Sequence, residues 1–195
     1  MRRTKPKQHS KATGFIRIIS GQYRGRKLPV HDIEGLRPTT DRVKETLFNW
    51  LMMDVRDAKV MDCFAGAGSL GFEALSRFAA EATFIELDRC AAQQLQNNSE
   101  LLQLTNANII NADALTELGQ NRSAQQFDLV FLDPPFRKNL LAPCCELLES
   151  QAWLSEQALI YVEFEREAHP QFPANWSIVK EKQAGQVTCR LYRRT

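Results

Sequence analysis

Lys59-Val60-Met61-Asp62-Cys63-Phe64-Ala65-Gly66-Ala67-Gly68-Ser69-Leu70-Gly71 is the stretch that decides the fold. A short apolar run ends in an acid, and Gly66, Gly68 and Gly71 follow, where a chain leaving a strand can turn tightly and approach a ligand before a helix begins. The alternation continues downstream. The patterning predicts strands at Lys59–Phe64, Ala82–Leu87, Ala107–Asn111, Phe127–Leu132 and Ala158–Glu165, with helices at Ser69–Phe78, Arg89–Leu104 and Asn139–Ser150. Strands and helices in that order build a parallel sheet covered on both faces, an α/β doubly wound fold. The carboxyl end differs: Trp176–Lys182 and Gln186–Arg193, joined through Ala184-Gly185, read as an antiparallel hairpin closing the sheet.

Upstream the composition changes. Residues 1–31 hold nine of the 25 Lys and Arg residues and no acid, so the remaining chain carries 16 bases against all 23 acids. Such an arm suits a polyanion, because each base placed on a phosphate releases a condensed counterion; a solvated tail is the plainer reading of residues 1–13. Phe15–Ser20 and Arg24–Val30 read as a small β-hairpin edged with Arg17, Arg24, Arg26 and Lys27, a candidate nucleic-acid surface. An amphipathic helix follows, with Asp41 or a Thr as its cap and Val43, Leu47, Trp50 and Leu51 at helical spacing. The expected organisation is a basic arm and hairpin over 1–36 and one enzyme domain over 37–195.

The 195 residues contain no run of eighteen apolar residues and no apolar stretch behind the basic start, so neither a membrane span nor a secretory signal is expected, and the expected address is the cytoplasm. Five scattered cysteines without a C-x-x-C pair argue against a disulfide framework and a zinc site, and His9, His31 and His169 are too dispersed for a metal or a triad.

Ligand chemistry in such a sheet belongs at the carboxyl ends of the strands, where their order reverses. Asp62 ends the first strand, Glu86 ends the second twenty positions after Gly66, and Asp113 follows the third. A carboxylate at the place of Glu86 can accept bonds from both hydroxyls of a ribose, and Asp113 can reach a nucleobase edge. Each also has a structural reading: Asp62 can bond the amides of the glycine turn, and Glu86 and Asp113 can cap helices. Asp133-Pro134-Pro135-Phe136 stands directly after the fourth strand. Two prolines fix an extended turn that holds the Asp133 carboxylate and the Pro134 carbonyl as converging acceptors beside the Phe136 ring, a trap for an exocyclic amine on a planar base. Arg37 and Arg42 are as readily salt-bridge partners as contacts to RNA or cofactor.

Together the Asp62–Gly68 turn, Glu86, Asp113 and Asp-Pro-Pro-Phe resemble the S-adenosylmethionine-dependent amino-methyltransferases. The segments Ile18–Lys27 and Arg37-Pro-Thr-Thr-Asp-Arg-Val-Lys-Glu-Thr-Leu-Phe-Asn-Trp-Leu51 narrow the resemblance to the bacterial small-subunit (16S) ribosomal RNA guanine-N2 methyltransferases, over nearly the whole chain. The resemblance implies a Rossmann-like class I methyltransferase: a mostly parallel seven-stranded sheet with an antiparallel carboxyl-terminal hairpin and a small basic amino-terminal hairpin. It implies S-adenosyl-L-methionine held by Asp62, Phe64, Gly66, Gly68, Glu86 and Asp113, and catalysis by Asp133, Pro134 and Phe136. It further implies RNA contacts from Arg17, Arg24, Arg26 and Lys27, no metal, and a monomer acting on ribosomal RNA in an assembled or assembling 30S subunit.

Other readings stay open. An adenine-N6 methyltransferase shares the four-residue turn, a nucleotide-dependent oxidoreductase shares the glycine turn and Glu86, and a non-catalytic RNA-binding module would need only the arm and hairpin. Pro143-Cys144 resembles the Pro-Cys pair of enzymes that methylate cytosine carbon 5 through a cysteine adduct. It falls in a helical run, however, and Cys144 and Cys145 are expected to be packing thiols.

Overall fold

The computed structural model describes residues 14–30 and 40–195. The expected arm, His9, His31, Arg37 and the division between residues 36 and 37 lie outside the described residues. The elements run β1 (Gly14–Arg17), β2 (Lys27–Val30), α1 (Asp41–Trp50), β3 (Lys59–Asp62), α2 (Ser69–Ser76), β4 (Glu81–Glu86), α3 (Arg89–Leu101), β5 (Ala107–Asn111), α4 (Ala114–Leu118), β6 (Phe127–Leu132), α5 (Leu141–Ser150), β7 (Leu154–Glu165), β8 (Trp176–Ala184) and β9 (Val187–Arg194).

Seven strands form one sheet in the order β5-β4-β3-β6-β7-β9-β8. The first five of these pair in parallel, while β9 runs antiparallel to both β7 and β8. This is the expected doubly wound sheet with its antiparallel end. Chain order reverses between the neighbours β3 and β6, which opens a crevice at their carboxyl ends. Both faces are covered, so the strands read as apolar runs rather than as alternating ones. Val60, Phe84, Leu129, Phe131 and Tyr161 point into one core with α1, α2, α3 and the hairpin, whereas Met61, Cys63, Ile85, Val130, Leu132 and Ile160 point into the other with α5.

The helices are shorter than the pattern suggested. Helix α2 stops at Ser76, with Phe78 at φ 70°, and α3 stops at Leu101, with Gln103 at φ 56°; these left-handed residues end each helix. Thr40, of the two candidates, caps α1 by accepting from the Val43 amide. A five-residue helix, α4, was not expected. Cys144 and Cys145 are buried on α5, and burial pushes the Cys144 thiol up to about 12, so both are inert packing groups.

The β1–β2 hairpin pairs Arg17 with Lys27 and buries Ile16, Ile18, Leu28 and Val30 in the same core as α2 and α3. Its anchor is Glu73, a fully buried acid of α2, whose carboxylate accepts from Ile19 N (2.8 Å), Ser20 N (3.1 Å) and Arg77 Nε (2.8 Å). At Gly21 (φ +80°) a Cβ would lie 1.8 Å from the Ser76 carbonyl oxygen, so only glycine lets the hairpin lie this close to α2. No described helix is long and apolar enough to cross a membrane.

Candidate active site

At the crevice four acids stand at the carboxyl ends of four adjacent strands: Glu86 on β4, Asp62 on β3, Asp133 just after β6 and Glu163 near the end of β7. The sequence supplied three of them. Asp62 is 3% exposed and accepts from Gly71 N at 3.2 Å. Burial, with the Glu86 charge adding, pushes its carboxyl up to about 7 against the amides of Gly71 and Phe64. Asp62 therefore has the structural role expected of it, a bond to an amide just beyond the glycine turn.

Glu86 is not a helix cap. Asp88 caps α3, accepting from Cys90 N and Ala91 N, while Glu86 ties two loops together by accepting from Gly66 N (2.7 Å) and Asp88 N (2.8 Å). Each of its half-buried oxygens keeps a second lone pair for a further donor. Asp113 does cap a helix: its Oδ1 accepts from Thr116 N at 2.9 Å and Oγ1 at 3.0 Å, which starts α4. Gly68 adopts φ +77° ahead of α2, as the turn requires. Gly71 serves packing rather than a ligand, because it lies inside α2 where a Cβ would come 2.2 Å from the Phe84 ring. Phe64 is half-buried and packs on the core that contains α5.

Ser69, the first residue of α2, has a buried Oγ without a hydrogen-bond partner. An orphan hydroxyl costs about 1–3 kcal/mol unless something meets it, and at a helix amino terminus beside a glycine turn an anionic or amino ligand end is a suitable partner.

On the other wall Asp133 is half-buried; burial, then the charges of Glu163 and Asp62, raise its carboxyl well above the usual carboxylate range. Pro134 is buried, and Phe136 presents its ring 38% exposed. The Arg137 amide donates to Glu165, fastening the turn to β7. Beside this turn opens a cavity of about 630 Å³, lined by Pro134, Pro135, Phe136, Glu163, Phe164 and His169. That is wide enough for a planar base. Glu163 escaped the sequence reading because it lies in the apolar run Leu159–Phe164. Its only signal was an acid inside a strand buried on both faces.

The four hairpin bases are exposed, but three have partners within the chain. The Arg17 guanidinium meets Asp41 at 2.6 Å, Arg26 donates to the Leu101 carbonyl at 3.2 Å, and the Lys27 ammonium lies 4.3 Å from the centre of the Phe15 ring. Phe15, 56% exposed on the outward face beside Arg17 and Lys27, is a surface aromatic that the sequence reading passed over. Beneath it the buried Lys44 of α1 donates to the Arg17 carbonyl.

A family model described as "Conserved hypothetical protein 95" matches residues 16–193. The chain is similar to the ribosomal RNA small subunit methyltransferase D of Escherichia coli, with 55% identity over 189 residues that cover 96% of this chain and 94% of that one. It is 51% identical to the protein of the same description from Haemophilus influenzae over 187 residues, 95% and 97% of the two chains. The solved structure of the Escherichia coli protein yhhF superposes with a TM-score of 0.85 at 56% identity, covering 93% of this chain and 98% of that one. Matched along hairpin, glycine turn and sheet alike, this chain belongs to the Conserved hypothetical protein 95 family, that of the ribosomal RNA small subunit methyltransferases D.

Proposed function

We propose that the protein transfers a methyl group from S-adenosylmethionine to the exocyclic N2 amine of a guanine in small-subunit ribosomal RNA. The observation that carries this reading is the convergence of Asp62 and Glu86 on one wall of the crevice with Asp133-Pro134-Pro135-Phe136 on the other. The residues present fit the cofactor. Glu86 would accept from the ribose hydroxyls, Asp113 from the adenine amine, and Asp62 would face the methionyl ammonium. The partnerless Ser69 hydroxyl and the start of α2 would meet the carboxylate. The bound cofactor supplies an electrophilic methyl on a sulfonium.

The chain's own residues do the rest. The guanine amine lone pair is delocalised into the ring and must pyramidalise to attack in line. Asp133 and the Pro134 carbonyl, accepting its two N–H groups, favour that geometry and stabilise the positive charge that develops on nitrogen. Phe136 stacks on the base. The outward hairpin face, with Phe15, Arg24 and Lys27, offers phosphate contacts and one stacking platform. A monomer working on a small ribosomal subunit in the cytoplasm is consistent with this reading. Radiolabelled methyl transfer to ribosomal RNA, naked and in 30S subunits, followed by nucleoside analysis, tests it; N2-methylguanosine is expected. N6-methyladenosine, or no transfer, would refute it.

A further inference from the structure

We propose that Glu163 is a positioning residue of the transfer: seated beside Asp133 across the paired ends of β6 and β7 and held by the Tyr161 hydroxyl, it makes Asp133 a base strong enough to take the proton that the amine must lose. This rests on the methyl-transfer reading above.

Strand register carries the argument. Phe131 pairs with Tyr161 and Leu132 with Val162, so continuing that register one residue past the end of β6 brings Asp133 beside Glu163, whose charge acts on it. Side-by-side residues of neighbouring strands project to the same face. Phe131 and Tyr161 share that face, their rings edge to face at 6.3 Å. Glu163 is only 7% exposed, and its Oε1 accepts from the Tyr161 hydroxyl at 2.8 Å. A buried acid beside a second, half-buried one is destabilising, and none of the binding or stacking roles above requires it.

The transfer has a use for it. As N2 attacks, the N–CH₃ bond forms, the S–CH₃ bond breaks and its electron pair goes to sulfur. The methylated nitrogen then carries two hydrogens and a positive charge. One N–H bond must break. The Pro134 amide carbonyl is too weak a base to take that proton, so it passes to a carboxylate oxygen of Asp133. An isolated solvent-exposed carboxylate is a weak base, and a negative neighbour in a poorly hydrated site strengthens it. Burial raises the carboxyl of Glu163, and the Tyr161 hydroxyl, donating to it, works against that rise and favours its charged form, which leaves Asp133 as the base.

Among the described residues the other titratable groups around the pair do not replace this influence. Asp62 on β3 adds negative charge to Asp133 from the cofactor wall. Burial pushes the Cys189 thiol of β9, paired with Glu163, up to about 11, so it stays neutral. Tyr161 is likewise pushed up and stays protonated. Lys182 of β8, next along the row, donates to Thr46 Oγ1 at 2.8 Å, and its positive charge acts on Cys189 between it and Glu163.

The test is the pH profile of single-turnover methylation of 30S subunits that lack this modification, for the wild type and Glu163→Gln. Glutamine keeps the shape and an acceptor for Tyr161 while removing the charge. Asp133 should then ionise at lower pH and become a weaker base: the acid limb moves down by about one pH unit or more, and the plateau rate falls about tenfold. S-adenosylmethionine affinity should change less than threefold. An unmoved limb in a folded variant that binds cofactor overturns the proposal while leaving the methyl-transfer reading intact. A wild-type enzyme that makes no N2-methylguanosine overturns that reading, and the proposal with it. Should Glu163→Gln not fold, the ¹³C titration of the Asp133 carboxyl in the wild type, assigned with Asp133→Asn, decides. Two coupled steps with the upper one near or above neutral support the pair, and a single step in the ordinary carboxylate range overturns it.

Discussion

Replacing Asp62 by Asn should stabilise the protein at alkaline pH and weaken cofactor binding at the same time. Asp62 is almost fully buried, and its carboxyl is pushed up to about 7 from an ordinary 3.8. A native pKa above the unfolded one means that folding favours the protonated form. The stability this gives is fully present below about pH 4 and is lost as pH rises through 7. A gap of about three pKa units corresponds to roughly 4 kcal/mol above pH 7. Asparagine keeps an oxygen for the Gly71 amide and cannot ionise. At pH 8 Asp62→Asn should therefore exceed the wild type by up to about 4 kcal/mol, a Tm rise of roughly 8–16 °C for a chain of this size. At pH 4 the two should melt together. Thermal melts from pH 4 to 8 read the difference directly, and a difference independent of pH, or a variant less stable at pH 8, would refute the reasoning. Calorimetry on the same samples supplies the second half. The neutral amide has no charge for the cofactor ammonium, so affinity should fall, and the proton that wild-type Asp62 releases on binding near pH 7 should disappear.

Glu86→Ala should weaken S-adenosylmethionine binding by about 2–3 kcal/mol, and it should also lower Tm, because the Gly66 and Asp88 amides lose their acceptor. Asp133→Ala should bind cofactor nearly normally and lose most of the methylation rate, while Phe136→Tyr keeps the rate that Phe136→Ala loses; wild-type turnover in Asp133→Ala would remove it from the chemistry. Neutralising Arg24 and Lys27 should flatten the salt dependence of subunit binding without changing cofactor affinity, and an identical salt slope would mean that the hairpin does not touch RNA.

The sheet was legible because burial on both faces writes itself into runs such as Phe127–Leu132, and because Gly68 and Asp62 mark the turn where β3 hands over to α2. What the sequence withheld depends on partners distant along the chain. Helix α4 has five residues, too few to show a period, so Asp113 kept two readings; its bonds to Thr116 make it a cap through Oδ1 and leave Oδ2 for the proposed ligand. The hairpin looked like an appendage because its bases are plain in the sequence, whereas its anchor, Glu73, lies more than fifty residues away. Gly71 looked like a ligand glycine until Phe84 of the next strand came to lie against it. Glu163 becomes a neighbour of Asp133 only once the strand order puts β7 beside β6.

That strand order also explains how the charges are divided. Glu86, Asp62, Asp133 and Glu163 are scattered over 102 positions of sequence but fall at the carboxyl ends of four adjacent strands. A row of acids repels phosphate, attracts a cationic cofactor and leaves a neutral base free to enter. Nine of the chain's 25 bases lie instead on its first 31 residues, which hold no acid, and those in the hairpin stay at the surface on a scaffold fastened to α2. On the proposed reading, an RNA would be held by its backbone at the hairpin and kept, backbone first, out of the crevice. The target nucleotide must then leave its stack to bring the amine to Asp133, so a guanine in a single-stranded loop should be a far better substrate than the same guanine in a duplex.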